Sequence, residues 1–190
     1  MKRLIDFLLA LIGLIIFSPL FLICYIAIRI EDGKPVIFKQ QRIGRYGKPF
    51  YIYKFRSLTI DGGNEEDLFS GHAKKKKLTR IGKFLREHHL DELPQLWNVL
   101  IGDMAFVGPR PERKYYIDMI IKYDPRYELL YKLRPGVTSY ATLHNGYTDS
   151  MEKMLIRLEM DLDYLEQQSI MLDAKILIET FTNIIIGKKF

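Results

Sequence analysis

No charged residue occurs between Phe7 and Ile28, where the sequence reads FLLALIGLIIFSPLFLICYIAI. As a helix, this stretch is long enough to cross a hydrocarbon core of about 30 Å. A cleavable signal peptide is the alternative. However, the stretch is longer than the hydrophobic region of a typical signal peptide, and no cleavage site of small residues follows it. We therefore predict that the N-terminal part of the chain enters a membrane.

Ser18 and Pro19 stand near the middle of this apolar stretch and predict a break there. The proline ring clashes with the carbonyl of Ile15 and removes one helical donor, while the Ser18 hydroxyl can satisfy a carbonyl that the break frees. Each arm then has about eleven residues and reaches about 16 Å, which is enough to enter the bilayer and turn back. A proline-kinked helix that still crosses the membrane remains the alternative.

Basic residues on both sides of the apolar stretch favour the re-entrant arrangement. Lys2 and Arg3 precede it, and four basic residues follow it: Arg29, Lys34, Lys39 and Arg42. The positive-inside rule draws both ends to the cytoplasmic side, whereas a crossing helix would separate them. We expect a re-entrant membrane helix over residues 1–30 and one cytoplasmic domain over residues 31–190, because no repeat or linker divides the latter range.

The composition indicates an anionic partner without identifying it. The net charge is +6 and the sequence pI is about 9.2, so nucleic acid, acidic lipid headgroups and phosphorylated small molecules are all candidates. The basic run from Lys74 to Lys77 fits each of them, and it fits a plain solvated loop equally well. The single cysteine, Cys24, excludes an intramolecular disulfide and fits a reducing compartment.

Two segments rich in aromatic and β-branched residues predict a β-hairpin. They run from Pro35 to Arg42 and from Phe50 to Arg56, and a glycine-containing turn at residues 44–47 joins them. Along the second strand, Lys54 and Arg56 follow apolar residues on the same face. These two cations either hold phosphate oxygens or form ordinary protein surface.

The remaining patterns are mainly helical. A long polar loop is expected from Asp61 to Lys77, a helix begins after Leu78, and a last helix runs from about Asp173 to Ile186. The last helix either lies on a membrane surface, with Lys188 and Lys189 at the headgroups, or packs in the core. The predicted fold is α+β and mostly helical, with a re-entrant membrane helix, a small β-hairpin and amphipathic interfacial helices. One further helix is indicated by an apolar stripe: Met151, Met154, Leu155, Leu158, Leu162 and Leu165.

Adjacent carboxylates at Asp91 and Glu92 open a helical pattern in the stretch LDELPQLWNVL. Asp91 suits the N-cap position, Pro94 is tolerated in a first turn, and Gly102 ends the pattern. The partial positive charge of a helix N-terminus would stabilise a carboxylate and also favour a phosphate. An ordinary capped helix needs the same residues, so the pair alone does not establish chemistry.

Two arginines near this pair make phosphate chemistry more plausible. Arg86 lies five residues before Asp91, and Arg110 stands between Pro109 and Pro111, which restrict the backbone around it. A guanidinium held in this way suits bidentate binding of a phosphate, whereas a structural salt bridge needs no such rigidity.

Taken in order along the chain, these motifs resemble the monotopic phosphoglycosyl transferases, also called the bacterial sugar transferase family. The resemblance covers nearly the whole chain, and the combination of its motifs is highly specific. The motifs are Lys2-Arg3 with Asp6, Ser18-Pro19, Phe38 to Gly44, Tyr53-Lys54-Phe55-Arg56, Leu90 to Leu100, Gly102-Asp103-Met104, Val107 to Pro111, Arg134-Pro135-Gly136-Val137-Thr138, and Asp173 with Lys175-Ile176.

The resemblance implies a transferase at the cytoplasmic face of the bacterial inner membrane, with residues 31–190 as its catalytic domain. Asp91 would attack the sugar-linked phosphorus of a nucleotide sugar, with uridine as the expected base, and polyprenyl phosphate would then take the phosphosugar. Glu92 would orient the site or share Mg²⁺ with Asp91. The remaining site residues would neutralise or bind phosphate, or line its site: Lys54, Arg56, Arg86, Arg110 and Asp173.

The sequence departs from the family pattern in two places. After Thr138 many members continue Gly-Trp-Ala-Gln and then Asn-Gly-Arg, whereas this chain reads SYATLHNGY over residues 139–147. A glutamine and an arginine are thus missing from a segment expected to touch the donor, which leaves the sugar undetermined. His88 and His89 replace small polar residues, and we interpret them as surface or packing residues.

The alternative function is a non-catalytic one. A membrane-tethered anion-binding protein, or a scaffold subunit of a glycan assembly complex, would use the basic surface without turnover. Nucleic acid is excluded as the expected partner, because carboxylates at the centre of the basic surface repel a polyanion. Membrane lipid is expected as a partner in either case, and a homodimer stays possible.

Overall fold

A computed structural model describes residues 1–59, 78–146, 148 and 150–186. The predicted polar loop at Asp61–Lys77, its run Lys74–Lys77, and Lys188 and Lys189 lie outside these residues. The described part is mostly helical with a small antiparallel sheet, as predicted. Its helices and strands are α1 (Lys2–Ile16), α2 (Ser18–Asp32), β1 (Ile37–Ile43), β2 (Pro49–Phe55), α3 (Arg80–Glu87), α4 (Gln95–Ile101), β3 (Ala105–Val107), α5 (Lys114–Tyr123), β4 (Gly136–Thr138), α6 (Tyr140–Asn145), α7 (Met151–Gln167) and α8 (Ile170–Ile186).

The helical conformation is interrupted between α1 and α2, at the predicted position. Phe17 separates the two helices, and the Ser18 hydroxyl donates to the carbonyl of Ile15 at 2.8 Å. This is the carbonyl that the ring of Pro19 deprives of its usual helical donor. Among the described residues no single helix is long and apolar enough to cross a membrane, whereas α1 and α2 together meet that test as a pair bent by 60°.

Both ends of this bent pair are bound to the rest of the protein. At the start of α1, Arg3 donates to the carbonyls of Val99 (2.5 Å) and Leu100 (2.7 Å) at the end of α4. At the end of α2, the carboxylate of Glu31 accepts from the first backbone amides of α3, those of Arg80 (2.6 Å) and Ile81 (2.9 Å). The start of α1 and the end of α2 are therefore both fixed to the globular part of the chain.

The apolar side chains near the bend are largely uncovered. Ile15 and Ile16 are 65% and 64% exposed, and Leu22 and Ile23 are 60% and 63% exposed. Such a contiguous apolar surface is unusual for a protein face in water and marks a site of interaction.

The predicted β-hairpin is present. Strands β1 and β2 pair antiparallel, with Gln40 opposite Ile52, and Tyr46 adopts a left-handed conformation (φ 61°) in the turn between them. Phe50 and Ile52 are buried, and Lys54 is half-buried at the end of the same face.

A second, parallel pair of strands had no signal in the sequence. Each of β3 and β4 has only three residues, and Val107 pairs with Thr138. The two backbones approach so closely beside this pair that a Cβ added at Gly136 would lie 2.2 Å from the Gly108 nitrogen. This close approach, which only glycine permits, sets the segment Val107–Pro111 against Arg134–Thr138.

The last two helices were predicted correctly in kind. Helix α7 contains the predicted apolar stripe, with Met154, Leu158 and Leu162 in a core cluster. Helix α8 buries Ile176 on one face and exposes other apolar residues, including Ile178 (67%) and Phe181 (65%). It therefore combines core packing with an uncovered apolar face.

Candidate active site

Asp91 and Glu92 lie in a short 3₁₀ turn, Leu90–Glu92, between α3 and α4. His89 precedes the turn in the left-handed conformation (φ 54°). Helix α4 begins only at Gln95, and Pro94 occupies its N-cap position without a side-chain cap. The prediction that Asp91 caps this helix is therefore wrong.

The physical reason is that the turn supplies its own acceptors. The Leu93 amide donates to the Leu90 carbonyl at 3.2 Å, and the Leu96 amide donates to the Leu93 carbonyl at 3.0 Å. The amides that a capping carboxylate would satisfy are thus bound by the backbone. The Asp91 carboxylate is consequently not required for helix formation.

Glu92 forms an ion pair with Lys54, which the hairpin brings to it. The distance from Lys54 Nζ to Glu92 Oε1 is 2.6 Å, and both side chains are largely covered. Burial alone would raise the pKa of Glu92, but the charges of Lys54 and Arg110 outweigh it and lower that pKa to about 2. Glu92 is therefore a permanent anion at physiological pH.

Asp91 has the opposite shift. The residue is only 7% exposed, and this burial, followed by the negative charge of Glu92, raises the pKa of its carboxyl above the usual value. Lys54 and Arg86 oppose the rise. Adjacent carboxyls whose environments move their pKa values apart are characteristic of functional sites.

Arg86 is presented by α3 and oriented by a neighbouring segment. Its Nε donates to the Ser57 hydroxyl at 2.8 Å, just beyond the end of β2. Gly82 makes this arrangement possible, because a Cβ there would lie 2.1 Å from the Ser57 carbonyl oxygen. The structure places Lys54 and Arg86 where their charges act on Asp91, and Lys54 and Arg110 where their charges act on Glu92.

Arg110 is exposed, but the segment that carries it is fixed by contacts that sequence reasoning did not identify, and two of their members, Glu112 and Arg157, were not singled out. Arg42 donates to the Pro111 carbonyl at 3.1 Å, and Arg157 pairs with Glu112 at 2.5 Å in the interior. The position of Glu112 directly after Pro-Arg-Pro was the only available signal. The two cationic partners of Glu112, Arg42 at 3.6 Å and Arg157 at 2.5 Å, come from distant parts of the chain.

Two predicted site residues have partners elsewhere. Arg56 lies one residue beyond β2, donates to the carbonyl of Asp32 at 2.6 Å, and forms an ion pair with the carboxylate of the same residue at 2.9 Å. Asp173 is buried and accepts from Lys2 and from the hydroxyl of Tyr164, both at 2.5 Å. The structure thus joins both residues to the N-terminal helices, and it does not bring them to Asp91 and Glu92.

A cleft of about 240 Å³ opens beside the carboxylate pair. Three ionisable residues line it, namely His89, Glu92 and Arg110, so His89, which was interpreted as a surface or packing residue, lies beside Glu92 at the cleft. Thr142, from the segment that departs from the family pattern, also lines the cleft. The other lining residues are Leu93, Leu96, Val137, Thr138, Thr180 and Ile184.

The donor set determines how a metal ion could bind. Among the described residues no group of three or more His, Cys, Asp or Glu side chains is arranged to hold a metal. Mg²⁺ is usually held by one or two carboxylates together with substrate phosphates, and it does not require a cage of protein ligands. Asp91 and Glu92 fit that mode, although Lys54 already occupies the position beside Glu92 Oε1.

Comparison with known families identifies the chain. A family model described as bacterial sugar transferase matches residues 1–187. The chain belongs to the bacterial sugar transferase family. This membership explains why the apolar N-terminal pair and the carboxylate site occur together, because the match covers both.

Several curated proteins are similar to this chain over nearly its whole length. A UDP-N-acetylgalactosamine-undecaprenyl-phosphate N-acetylgalactosaminephosphotransferase of Aeromonas hydrophila is 37% identical over 98% of this chain and 44% of its own length. A UDP-glucose:undecaprenyl-phosphate glucose-1-phosphate transferase of Klebsiella pneumoniae is 40% identical over 94% and 39%, and one of Caulobacter vibrioides is 37% identical over 97% and 69%. The chain thus spans less than half the length of the first two relatives.

Proposed function

We propose that this family member transfers a sugar 1-phosphate from a UDP-sugar to a polyprenyl phosphate, forming a polyprenyl diphosphate sugar and UMP. Relatives named for this reaction with undecaprenyl phosphate support the proposal. So does the pairing of a buried carboxyl with cations in one site. The proposed location of the protein in the cell is the cytoplasmic face of the bacterial inner membrane.

The observation that carries the mechanism is the environment of Asp91. Its carboxylate is buried and does not cap helix α4. The negative charge of Glu92 and the positive charges of Lys54 and Arg86 all act on it. Burial removes water that would otherwise weaken the nucleophile and compete with it. A buried carboxylate without a structural task is suited to nucleophilic catalysis.

The reaction proceeds in two displacements at phosphorus. An Asp91 oxygen forms a bond to the sugar-linked phosphorus while the bond from that phosphorus to the bridging oxygen of the diphosphate breaks, and UMP leaves with the electron pair. An oxygen of polyprenyl phosphate then bonds to the same phosphorus and releases the Asp91 carboxylate. When bound, Mg²⁺ would neutralise charge on the diphosphate and its leaving group.

The cations divide this work by position. Arg110, which the Pro-Arg-Pro segment presents, and Arg86, which Ser57 orients, offer guanidinium groups suited to phosphate oxygens. Lys54 keeps Glu92 ionised, so that Glu92 raises the basicity of Asp91 and takes no proton itself. These fixed charges stabilise the transition state in a site shielded from water.

In this proposal the N-terminal helices hold the site at a lipid surface. Both ends of the α1–α2 pair contact the globular part, and the bend carries exposed apolar side chains. A re-entrant insertion satisfies both observations, whereas a crossing helix would separate two ends that are bound to one body. A soluble donor and a lipid acceptor can then meet at the same carboxylate.

The decisive experiment separates the two displacements. Protein in nanodiscs is incubated with a panel of UDP-sugars, first without and then with polyprenyl phosphate. We expect UMP release and a phosphosugar adduct on Asp91 in the first incubation, and lipid-linked product in the second. Asp91→Asn should remove the adduct and turnover while leaving binding to the nanodisc intact. Release of UDP in place of UMP would refute the proposal, and normal turnover by Asp91→Asn would refute the covalent step.

A further inference from the structure

The cleft beside Glu92 presents a mainly apolar surface. Leu93 and Leu96 of the turn and α4, Val137 of β4 and Ile184 of α8 supply hydrocarbon groups. Its volume of about 240 Å³ is below the range of roughly 300–1,000 Å³ that is usual for whole drug-sized ligands. The cleft therefore suits one part of a substrate and not a complete nucleotide sugar.

The three threonines of the cleft add to this apolar character. The Thr138 and Thr180 hydroxyls lie 2.8 Å apart, and Thr180 also donates to the Ile176 carbonyl at 2.7 Å. The Thr142 hydroxyl lies 2.8 Å from that of Ser139. Since these threonine hydroxyls are already hydrogen-bonded within the protein, they are less able to form hydrogen bonds with the hydroxyls of a bound sugar.

The ionisable residues of the cleft lie close to one another. Arg110, Glu92 and His89 all line it, and the first and last of these act electrostatically on Glu92. A guanidinium beside an apolar channel complements a molecule with a phosphate head and a hydrocarbon chain. A nucleoside, whose base and ribose need several hydrogen-bonding partners, lacks this match.

The other walls of the cleft belong to elements that carry exposed apolar surface. Leu96 lies against α1, where a Cβ at Gly13 would be 3.3 Å from Leu96 Cδ1. Ile184 is 38% exposed, and Phe181, one turn earlier on α8, is 65% exposed. An apolar path thus leads from the surface of α8 to the carboxylate site, next to the helix that we propose enters the bilayer.

We propose that this cleft holds the first isoprene units of the polyprenyl phosphate acceptor, with the acceptor phosphate at Arg110. The inference rests on the proposed function for the identity of the acceptor, but it assigns a location that the reaction itself does not. It makes Leu93, Leu96, Val137 and Ile184 contacts of the lipid, and it places the nucleotide of the donor outside the cleft.

Photo-crosslinking tests the location without requiring turnover. The full chain in detergent micelles is irradiated with farnesyl phosphate that carries a diazirine on its first isoprene unit. We expect the label on residues of the cleft, and we expect unlabelled polyprenyl phosphate to suppress it. Free polyprenol should compete weakly, and inorganic phosphate should not compete, because the former lacks the head and the latter lacks the chain. Labelling confined to other segments would overturn the inference.

A matched pair of variants on α8 tests the consequence for catalysis. Ile184→Trp fills the cleft, whereas Ile178→Trp adds the same bulk to a separate face of the helix. We expect Ile184→Trp to raise the KM for polyprenyl phosphate by about tenfold or more, with a smaller effect on UMP release in the absence of acceptor. Ile178→Trp should alter neither quantity. A rise in the donor KM with an unchanged acceptor KM would show that the cleft holds the donor.

The two proposals fail in distinguishable ways. If the wild-type protein labels in the cleft but releases no UMP from any UDP-sugar, the proposed reaction is wrong and the lipid site remains. If UMP and lipid-linked product both form while the label lies elsewhere, the reaction stands and the assignment of the cleft is wrong.

Discussion

Lys54 Nζ lies 2.6 Å from Glu92 Oε1, and this contact joins the β-hairpin to the turn that carries both carboxylates. The ammonium group lowers the pKa values of both Glu92 and Asp91. A single residue of β2 thereby favours the ionised form of two acids on another element.

Replacing this lysine should move the acidic limb of the pH–rate profile. Asp91 must be ionised to attack, and its pKa is already raised by burial, so activity is lost as the pH falls through that value. Lys54→Met removes a charge that favours ionisation of Asp91 and should shift the acidic limb of kcat/KM to higher pH. Lys54→Arg keeps the charge and serves as the control. An acidic limb at the same pH in Lys54→Met would contradict this role.

Arg56 should affect stability and not substrate binding. Its guanidinium is nearly buried against Asp32 at the end of α2, and removing one partner of a buried pair costs about 3 kcal/mol. Arg56→Met should therefore lower the free energy of unfolding by about that amount, measured by denaturant titration in detergent, with the donor KM unchanged. Arg86→Met should show the reverse pattern. If Arg56→Met raised the donor KM at full stability, Arg56 would belong to the phosphate site.

Asp161 should make stability depend on pH. Burial, assisted by the charge of Glu112 and opposed by Arg157, raises its pKa from 3.8 to about 7, and its Oδ1 has no hydrogen-bond partner among the described residues. Between pH 3.8 and about 7 the folded state keeps a proton on Asp161 that the unfolded state has lost. Raising the pH through this range therefore favours the unfolded state, and the free energy of unfolding falls. Asp161→Asn should remove that loss and gain on the order of a few kcal/mol over wild type at pH 8.

The comparison at acidic pH serves as the control for this variant. Near pH 3 the Asp161 carboxyl is protonated in the folded protein and mostly protonated in the unfolded one, so the asparagine variant and the wild type should differ little in free energy of unfolding. Parallel curves of unfolding free energy against pH for the two proteins would show that Asp161 does not titrate in this way.

Asp173 should hold the first turn of α1 in place. It accepts hydrogen bonds from Lys2 and Tyr164, and bonds to a charged group contribute about 1–3 kcal/mol each. Asp173→Ala should lower the free energy of unfolding by a similar amount and speed amide hydrogen exchange in α1. Asp163→Ala removes an exposed carboxylate from α7 and should leave both quantities unchanged. A raised donor KM with normal exchange in α1 would return Asp173 to the substrate site.

Local signals predicted the parts of the fold that local chemistry determines. The bend at Ser18 and Pro19 follows from the geometry of proline, and the hairpin follows from alternating apolar residues around a turn. The parallel strands β3 and β4 have three residues each, which is too short for a periodic pattern. Their pairing depends on the close approach of Gly108 and Gly136, which only the folded chain reveals.

The site was predictable as a set of residue types, but not in all its partners. Chemistry and resemblance selected five residues, and in the structure these residues interact electrostatically: Asp91, Glu92, Lys54, Arg86 and Arg110. Arg56 and Lys54 lie on the same predicted strand face, but Arg56 lies one residue beyond the end of β2 in the structure. A sequence pattern does not determine the end of a strand to within one residue. The preference of Arg56 for Asp32 could not be inferred from spacing.

The contact between Lys2 and Asp173 joins residues 171 positions apart, and this separation has a consequence during protein synthesis. At about 5–20 residues per second, the ribosome finishes Asp173 on the order of ten to thirty seconds after Lys2. For much of that interval the first two helices are outside the ribosome while Asp173 has not yet been made, although their exposed apolar side chains are prone to aggregation. Any cover for these side chains, from a chaperone or from the bilayer, must therefore come before the fold is complete.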